Sequence, residues 1–183
     1  MDREANDSTR ELVEEVDRNV RVRLRNALIA AYQDTENTRK LQDVVYEVTE
    51  AYLYNIICST TGSINGDTFC PDRVCVPERS GDAYSVYTEW MEDGDGGKIY
   101  FHLSWRDLIR MAVKNDEIIG IRINPDMGLP VILLTKQNLE TITRIGDEEI
   151  SKRNAAMEED LKKYQVWGPV KPAKKEDSEK PQI

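Results

Sequence analysis

Two kinds of residue that often carry chemistry are scarce in this sequence. It has one histidine, His102, and three cysteines, Cys58, Cys70 and Cys75. Any histidine-dependent acid–base or nucleophilic mechanism would therefore have to use His102. An odd number of cysteines does not fit a framework of paired disulfides, so we expect a reducing compartment.

Long apolar runs are also missing. No stretch approaches the roughly 18–20 apolar residues that a membrane-spanning helix needs. The charged amino terminus, MDREANDSTRELVEE, lacks the apolar segment of a signal peptide. These features predict a cytoplasmic protein that does not insert into a membrane.

Acidic residues, by contrast, are abundant. The 183-residue chain has 34 acidic and 25 basic residues, which give a net charge of -9. A negative field repels phosphate backbones and anionic lipid surfaces, so nucleic acid is not an expected partner. With 39% hydrophobic residues, a chain of this length predicts one core domain with appendages.

Apolar residues at helical spacing dominate the amino-terminal part of the chain. A stripe on one face predicts an amphipathic helix over residues 10–33, formed by Leu12, Val16, Val20, Leu24, Ala27, Leu28 and Ala31. Its first half has few large apolar residues and is expected to project from the core. A second helix is predicted over 39–51 and a strand over 52–58, with extension of the helix as the alternative. STTGSINGD, 59–67, predicts a loop.

Alternating apolar residues predict β-structure in the middle of the chain. AYSVYTEW (83–90) and KIYFHLS (98–104) are predicted to form a hairpin through the MEDGDGG loop, with Ile99 on its buried face. Ser104 and Asp107 have the spacing of a helix N-cap, so a helix is expected from Trp105 onward.

The most apolar stretch, GIRINPDMGLPVILLT, predicts two adjacent strands with both faces covered, in the centre of the sheet. The first strand, 118–123, is expected to end at Asn124-Pro125, because proline disfavours helical geometry in the residue before it and favours an extended Asn124. Thr135 is predicted to cap a helix that stops at Gly146.

These patterns predict an α+β fold, in which a single mixed, largely antiparallel sheet packs against helices. Glutamates paired with lysine or arginine at i,i+4 predict a separate charged helix over 147–164, with a thin apolar seam. The predicted organisation is a charged helical extension over 1–23, a domain over 24–146, that charged helix, and a disordered tail over 165–183.

The segments LIAAYQD, AYLYNIIC and KIYFHLSWRDLIRMAVKNDEIIGIRINPDMGLPVILLTKQNLETI resemble the SseB N-terminal domain family of bacterial proteins. In that family a strand leads into a Ser/Thr-capped helix, and a glycine-preceded strand ends in an Ile-Asn-Pro corner. The similar parts here are 100–107 and 120–125, and the resemblance covers roughly 24–142. It implies a compact bacterial cytoplasmic domain that binds or regulates, with no catalytic residues or cofactor to carry over.

The cysteines and the histidine allow a second hypothesis. A zinc site needs four thiolate or imidazole ligands, and Cys58, Cys70, Cys75 and His102 are the four such side chains in the chain. The C-x₄-C spacing of Cys70 and Cys75 suits half a zinc site but differs from the C-x-x-C of redox pairs. Free thiols and a surface histidine are the favoured interpretation, so no metal or other cofactor is predicted.

Aromatic residues supply the preferred hypothesis, a module that binds a protein or peptide. Tyr84, Tyr87 and Trp90 are predicted to contribute an exposed binding face, with Asn124 at the strand corner nearby. The alternatives are that half of the aromatic residues are core and that Asn124 only satisfies its own turn. A small-molecule sensor with a pocket at Asn124 is a further hypothesis. The charged terminal helices are the other predicted contact surfaces, and one of them is a candidate dimer seam.

Overall fold

The residues that the structure describes form four α-helices and seven strands. The computed structural model describes residues 2–88, 99–124 and 132–165, with the backbone alone at 2–9, 78, 164 and 165. The helices are α1 (Asp2–Gln33), α2 (Thr38–Leu53), α3 (Trp105–Lys114) and α4 (Lys136–Gln165). The strands are β1 (Ile57–Asn65), β2 (Thr68–Pro71), β3 (Arg73–Val76), β4 (Gly81–Val86), β5 (Tyr100–Ser104), β6 (Ile118–Ile123) and β7 (Ile132–Thr135), and a short 3-10 helix spans Pro77–Arg79. The predicted α+β class is confirmed.

The strands form two sheets rather than the predicted single one. One sheet has the order β2-β1-β5 and is antiparallel, and the other has the order β3-β4-β6-β7, in which β4 and β6 are parallel. A single bridge joins β1 to the end of β4, where Ser59 and Tyr87 exchange two backbone hydrogen bonds. Next to this bridge, the Thr60 hydroxyl donates to the Ser85 carbonyl oxygen at 2.7 Å. Here a hydrogen bond from a side chain replaces the next backbone bond between β1 and β4. The two sheets are therefore joined only at this bridge among the described residues.

The predicted hairpin between 83–90 and 98–104 is wrong. β4 pairs with β3 and β6, whereas β5 pairs with β1 in the other sheet. Ile99, predicted to be buried, precedes β5 and is exposed, while Tyr100 is buried. The loop between these strands and Trp90 lie outside the described residues.

The transition from α2 to β1 differs from the prediction. Helix continues to Leu53, as the alternative held, and the strand begins only at Ile57. β1 then runs through most of the predicted loop, because its Gly62–Asn65 segment pairs with β2. The turn instead falls at Gly66, whose φ of +62° favours glycine.

The strand pair at 118–135 is confirmed, with two corrections. β6 and β7 are antiparallel neighbours. Both were predicted to be central, but of the two only β6 is an inner strand, and β7 lies at the edge of its sheet. Asn124 has a φ of +51°, in the left-handed region, instead of the predicted extended geometry. Pro125 and the rest of the corner lie outside the described residues.

α4 begins as predicted and continues past the predicted stop. The Thr135 hydroxyl donates to Asn138 Oδ1 at 2.7 Å at its start. Gly146 lies inside the helix, where a Cβ would collide with the ring of Tyr52. The helix predicted to be separate over 147–164 therefore belongs to α4, and α1 likewise crosses the predicted boundary at residue 23. The chain divides into two units, Met1–Ile150 and Ser151–Ile183.

The core lies in the first unit and draws on all four helices. Its largest fully buried side chains include Leu28, Tyr52, Trp105, Leu108, Ile109, Ile118, Ile121, Ile123, Leu139 and Ile142. Ser104 caps α3 as predicted, since its hydroxyl accepts from the Asp107 backbone N–H at 3.0 Å. Among the described ranges, no helix is both long and apolar enough to cross a bilayer.

Candidate functional site

A groove of about 860 Å³ opens beside residues 12–25 of α1. We call it the α1 groove. It is lined by Leu12, Val13, Glu14, Val16, Asp17, Arg18, Arg21, Val22 and Arg25 of α1, by Tyr54, Asn55 and Ile56 between α2 and β1, by Ile57 at the start of β1, and by Thr88 after β4. Most of this lining is apolar, which is the usual character of a binding site.

The groove exists because α1 extends beyond the core while its apolar stripe continues. Val20, Leu24 and Leu28 are buried, but Leu12 and Val13, on the preceding turns, are 66% and 63% exposed. Exposed apolar residues scattered singly are normal on a protein surface, whereas adjacent ones along a concave surface indicate an interaction site. Leu12 and Val13 therefore lie beside an open cleft, whereas Val20, Leu24 and Leu28, further along the same stripe, face protein.

The opposite wall of the groove is a well-anchored turn. The Tyr54 N–H donates to the Glu50 carbonyl and the Ile56 N–H to the Ala51 carbonyl, both at 2.9 Å. Asn55 between them has a φ of +57°, which is how helices commonly end. This turn holds the Tyr54 side chain, 43% exposed, against the groove.

A guanidinium fixes the end of α2 behind that wall. Arg106 donates to the Tyr52 carbonyl at 3.1 Å and to the Leu53 carbonyl at 3.0 Å. These two carbonyls belong to the last turn of the helix, where backbone donors are few, although the Asn55 N–H also donates to the Tyr52 carbonyl at 3.3 Å. α3 therefore holds this wall of the groove.

The groove lining has one more basic than acidic residue. Three arginines line it, Arg18, Arg21 and Arg25, against two acids, Glu14 and Asp17. Arg21 is paired with Asp17, since its Nε donates to Oδ2 at 2.9 Å. In a chain with a net charge of -9, a groove with one more base than acid repels an acidic partner less than the rest of the surface does.

The predicted aromatic face is not on the surface where the structure describes it. Tyr84 and Tyr87 are buried. The Tyr84 hydroxyl accepts a hydrogen bond from Asn115 Nδ2 at 2.9 Å. The ring of Tyr87 packs edge-on against the ring of Tyr100, with 5.3 Å between the ring centroids. Trp90 lies outside the described residues. The two tyrosines therefore pack within the fold, which agrees with the alternative that part of the aromatic set is core.

Asn124 is buried and joins the ends of two parallel strands. Its Oδ1 accepts from the Thr88 N–H at 3.0 Å, its Nδ2 donates to the Thr88 hydroxyl at 3.1 Å, and its N–H donates to the Val86 carbonyl at 2.7 Å. These bonds hold the carboxyl ends of β4 and β6 together. The interaction explains the unusual left-handed conformation of Asn124 without a ligand.

The four residues of the alternative zinc hypothesis are not brought together. Cys58 is buried, its thiol donates to the Leu103 carbonyl at 3.3 Å, and burial raises its pKa to about 12. Cys70 and Cys75 are exposed on strands of different sheets, and His102 lies beside the Ser59 hydroxyl at 3.2 Å. Across the described ranges, no three His, Cys, Asp or Glu side chains gather as a metal site would require.

The residues that form the groove were only partly foreseen from the sequence. Leu12 and Val16 were assigned to the apolar stripe, and its projecting first half was expected. Val13, Val22 and Tyr54 were not singled out. One feature of the sequence points to this part of the groove. Val13 lies next to Leu12 and widens the apolar stripe of α1 where other large apolar residues are few.

Comparisons of the chain with protein-family models, with curated proteins and with solved structures found no match. The resemblance to SseB N-terminal domains therefore stays a prediction.

Proposed function

We propose that this protein is a cytoplasmic, non-enzymatic module that binds an amphipathic helix of a protein partner in the α1 groove. The observation that carries the proposal is the run of exposed apolar side chains on a preformed, concave surface, from Leu12 and Val13 to Tyr54. Laying the apolar face of a helix into such a groove is a recurring mode of peptide recognition.

The dimensions of the groove suit a helix. Residues 12–25 of α1 line one side, and this length of helix rises roughly 20 Å, or between three and four turns. A partner helix with apolar residues at i, i+4, i+7 and i+11 would place one side chain in each turn of that length. Each large apolar side chain buried in this way contributes about 1.5–3 kcal/mol before the costs of association.

The arginines predict the polar face of the partner. A partner with Asp or Glu beside its apolar residues would place them near Arg18 and Arg25, which lie along the same side of the groove. Arginine suits carboxylates because its planar guanidinium can hold two oxygens at once. Acidic amphipathic helices should therefore bind more tightly than basic ones.

A displayed library of amphipathic helices, randomised on both faces, tests the proposal. We expect selection on the full chain to enrich peptides with apolar residues at helical spacing and acidic flanks. The affinity of an enriched peptide, measured by fluorescence anisotropy, should fall about 10-fold or more in Val13→Glu, because a charge then faces the apolar groove.

Ile29→Glu is the matched control, since Ile29 is an exposed aliphatic residue of the same helix that does not line the groove. Its affinity for the enriched peptide should stay within about twofold of the wild type. The proposal fails if no helical peptide is enriched, or if both variants bind that peptide equally well.

A further inference from the structure

We propose that Arg106 of α3 is a positioning residue of the α1 groove, which sets the affinity of the groove for its partner without touching that partner. The inference rests on the proposed function, because it concerns the same groove. Arg106 is not among the lining residues that the structure describes, so it acts through the wall that carries Tyr54.

Arg106 binds the main chain at the start of that wall. Its Nε and Nη2 donate to the Tyr52 carbonyl at 3.2 and 3.1 Å, and Nη2 also donates to the Leu53 carbonyl at 3.0 Å. A cation is favoured at this end of a helix, where the last carbonyls lack helical partners. Tyr54, which lines the groove, follows Leu53 directly.

The bonds within the turn set its shape but not its distance from α3. The Tyr54 and Ile56 N–H groups both donate to carbonyls of α2, the helix that the turn ends. The contacts that fix its position come from the start of α3. They are the Trp105 N–H, which donates to the Ile56 carbonyl at 2.9 Å, and the guanidinium of Arg106. Only the second is made by a side chain, so it is the one that a substitution can remove.

A wall that is held in place lowers the cost of binding. A partner that meets a mobile wall has to order it, and this ordering reduces the affinity. Without the guanidinium, the Leu53 carbonyl loses the bond from Arg106 and the Tyr52 carbonyl keeps only the longer bond from the Asn55 N–H, at 3.3 Å. We expect the Tyr54 side chain then to take more than one position beside the groove.

Arg110, one turn further along α3, is the matched control. The two guanidinium carbons lie 5.5 Å (Arg106) and 5.7 Å (Arg110) from the centre of the same Tyr52 ring. The described bonds of Arg110, however, reach the Tyr52 hydroxyl and Asp147 rather than the carbonyls of α2. Methionine in place of either arginine keeps an apolar stem and removes the donors. Both variants therefore lose a charge and a contact with Tyr52, but only Arg106→Met releases the wall.

Amide hydrogen exchange of the full chain, followed by NMR, tests the hold on the wall without a partner. The Tyr54 and Ile56 amides should exchange about 10-fold faster or more in Arg106→Met, and near the wild-type rate in Arg110→Met. Arg106→Lys keeps the charge but not the fork of donors, so its exchange should rise only about threefold. If Arg106→Met does not fold, Arg106→Lys carries this measurement and the next.

The affinity for a peptide enriched from the helix library, measured by fluorescence anisotropy, tests the consequence. It should fall about fivefold or more in Arg106→Met, about twofold to threefold in Arg106→Lys, and less than about twofold in Arg110→Met. In a Tyr54→Ala background, Arg106→Met should cost less than about twofold, because the residue through which it acts is gone. A general loss of stability would not produce this dependence on Tyr54.

Three results would overturn the inference. They are unchanged exchange at Tyr54 and Ile56 in Arg106→Met, an equal loss of affinity in Arg110→Met, and an equal loss with and without Tyr54. None of them touches the proposed function, because Val13→Glu still decides whether the groove binds the peptide. If the library yields no helical peptide, the proposed function fails, and the role of Arg106 in affinity fails with it.

Discussion

The two halves of α1 carry the same apolar spacing in different surroundings. Val20, Leu24 and Leu28 face the core and are buried, while Leu12 and Val13 face an open groove. The second half packs on α2, where Arg23 donates to Glu47 at 3.0 Å. An apolar stripe thus predicts a helix face, but whether that face is core or binding surface depends on what lies opposite it.

α4 repeats the contrast at the other end of the chain. Leu139 and Ile142 are fully buried, whereas Met157 and Leu161 are exposed. Between them, Gly146 packs on Tyr52 and Asp147 binds the Tyr52 hydroxyl at 2.6 Å. Each long helix therefore has one half that stabilises the fold and another whose apolar residues contribute little to it.

Truncating one leucine in each half of α1 tests that contrast most strongly. Leu28→Ala should lower the free energy of unfolding by roughly 2–5 kcal/mol, because it leaves a cavity in the core. Leu12→Ala should cost less than about 0.5 kcal/mol, since its side chain is already in solvent. Urea denaturation of both variants at one low protein concentration measures the two losses. Equal losses would show that the first half of α1 is also part of the core.

Gly146→Ala probes the point where the packed part of α4 ends. Alanine improves helix propensity by about 1 kcal/mol, but its Cβ would collide with the buried ring of Tyr52. We expect a net loss of roughly 1–3 kcal/mol, the usual cost of overpacking. Asn154→Ala, at an exposed position of the same helix, should be neutral or slightly stabilising. A stabilised Gly146→Ala would mean that this part of α4 is not held against α2.

Local signals in the sequence predicted the elements better than their partners. The Ser104 cap, β6 and the second half of α1 depend on spacing within a few residues, and all three were predicted correctly. Strand pairing depends on residues far apart in the chain. The alternation in KIYFHLS indicated a strand, but nothing in it shows that β5 pairs with β1 rather than with its neighbour in sequence.

Glycine and asparagine gave misleading signals for the same reason. Gly146 resembles a helix stop, but its lack of a side chain serves the contact with Tyr52, a residue of α2. Asn124 precedes a proline and was expected to be extended, but its bonds to Thr88 favour a left-handed backbone. The groove was predictable only as a projecting helix half, because its other wall comes from Tyr54 and its neighbours.

The smallest expected effect concerns Asp147, a residue of the packed part of α4. It accepts from Tyr52 and, at 2.7 Å, from Arg110. Burial disfavours its charge, but these two hydrogen bonds outweigh that effect and lower its pKa. Burial raises the pKa of Tyr52 to about 12, so the phenol stays protonated and can donate at neutral pH. Asp147→Asn should cost about 1 kcal/mol or less at pH 7, because the carboxylate is 44% exposed.

The pH dependence of that loss identifies its cause. A carboxylate whose pKa is lowered by folding stabilises the protein above its unfolded pKa, near 4, and that contribution disappears as the pH falls through the folded pKa. The difference in unfolding free energy between wild type and Asp147→Asn should therefore shrink below about pH 4. Glu148→Gln, which removes only an exposed pair with Arg144, should cost little at any pH. If Glu148→Gln cost as much as Asp147→Asn, or if the loss at Asp147 did not change with pH, the bonds of the Asp147 carboxylate to Tyr52 and Arg110 would not be what stabilises this part of α4.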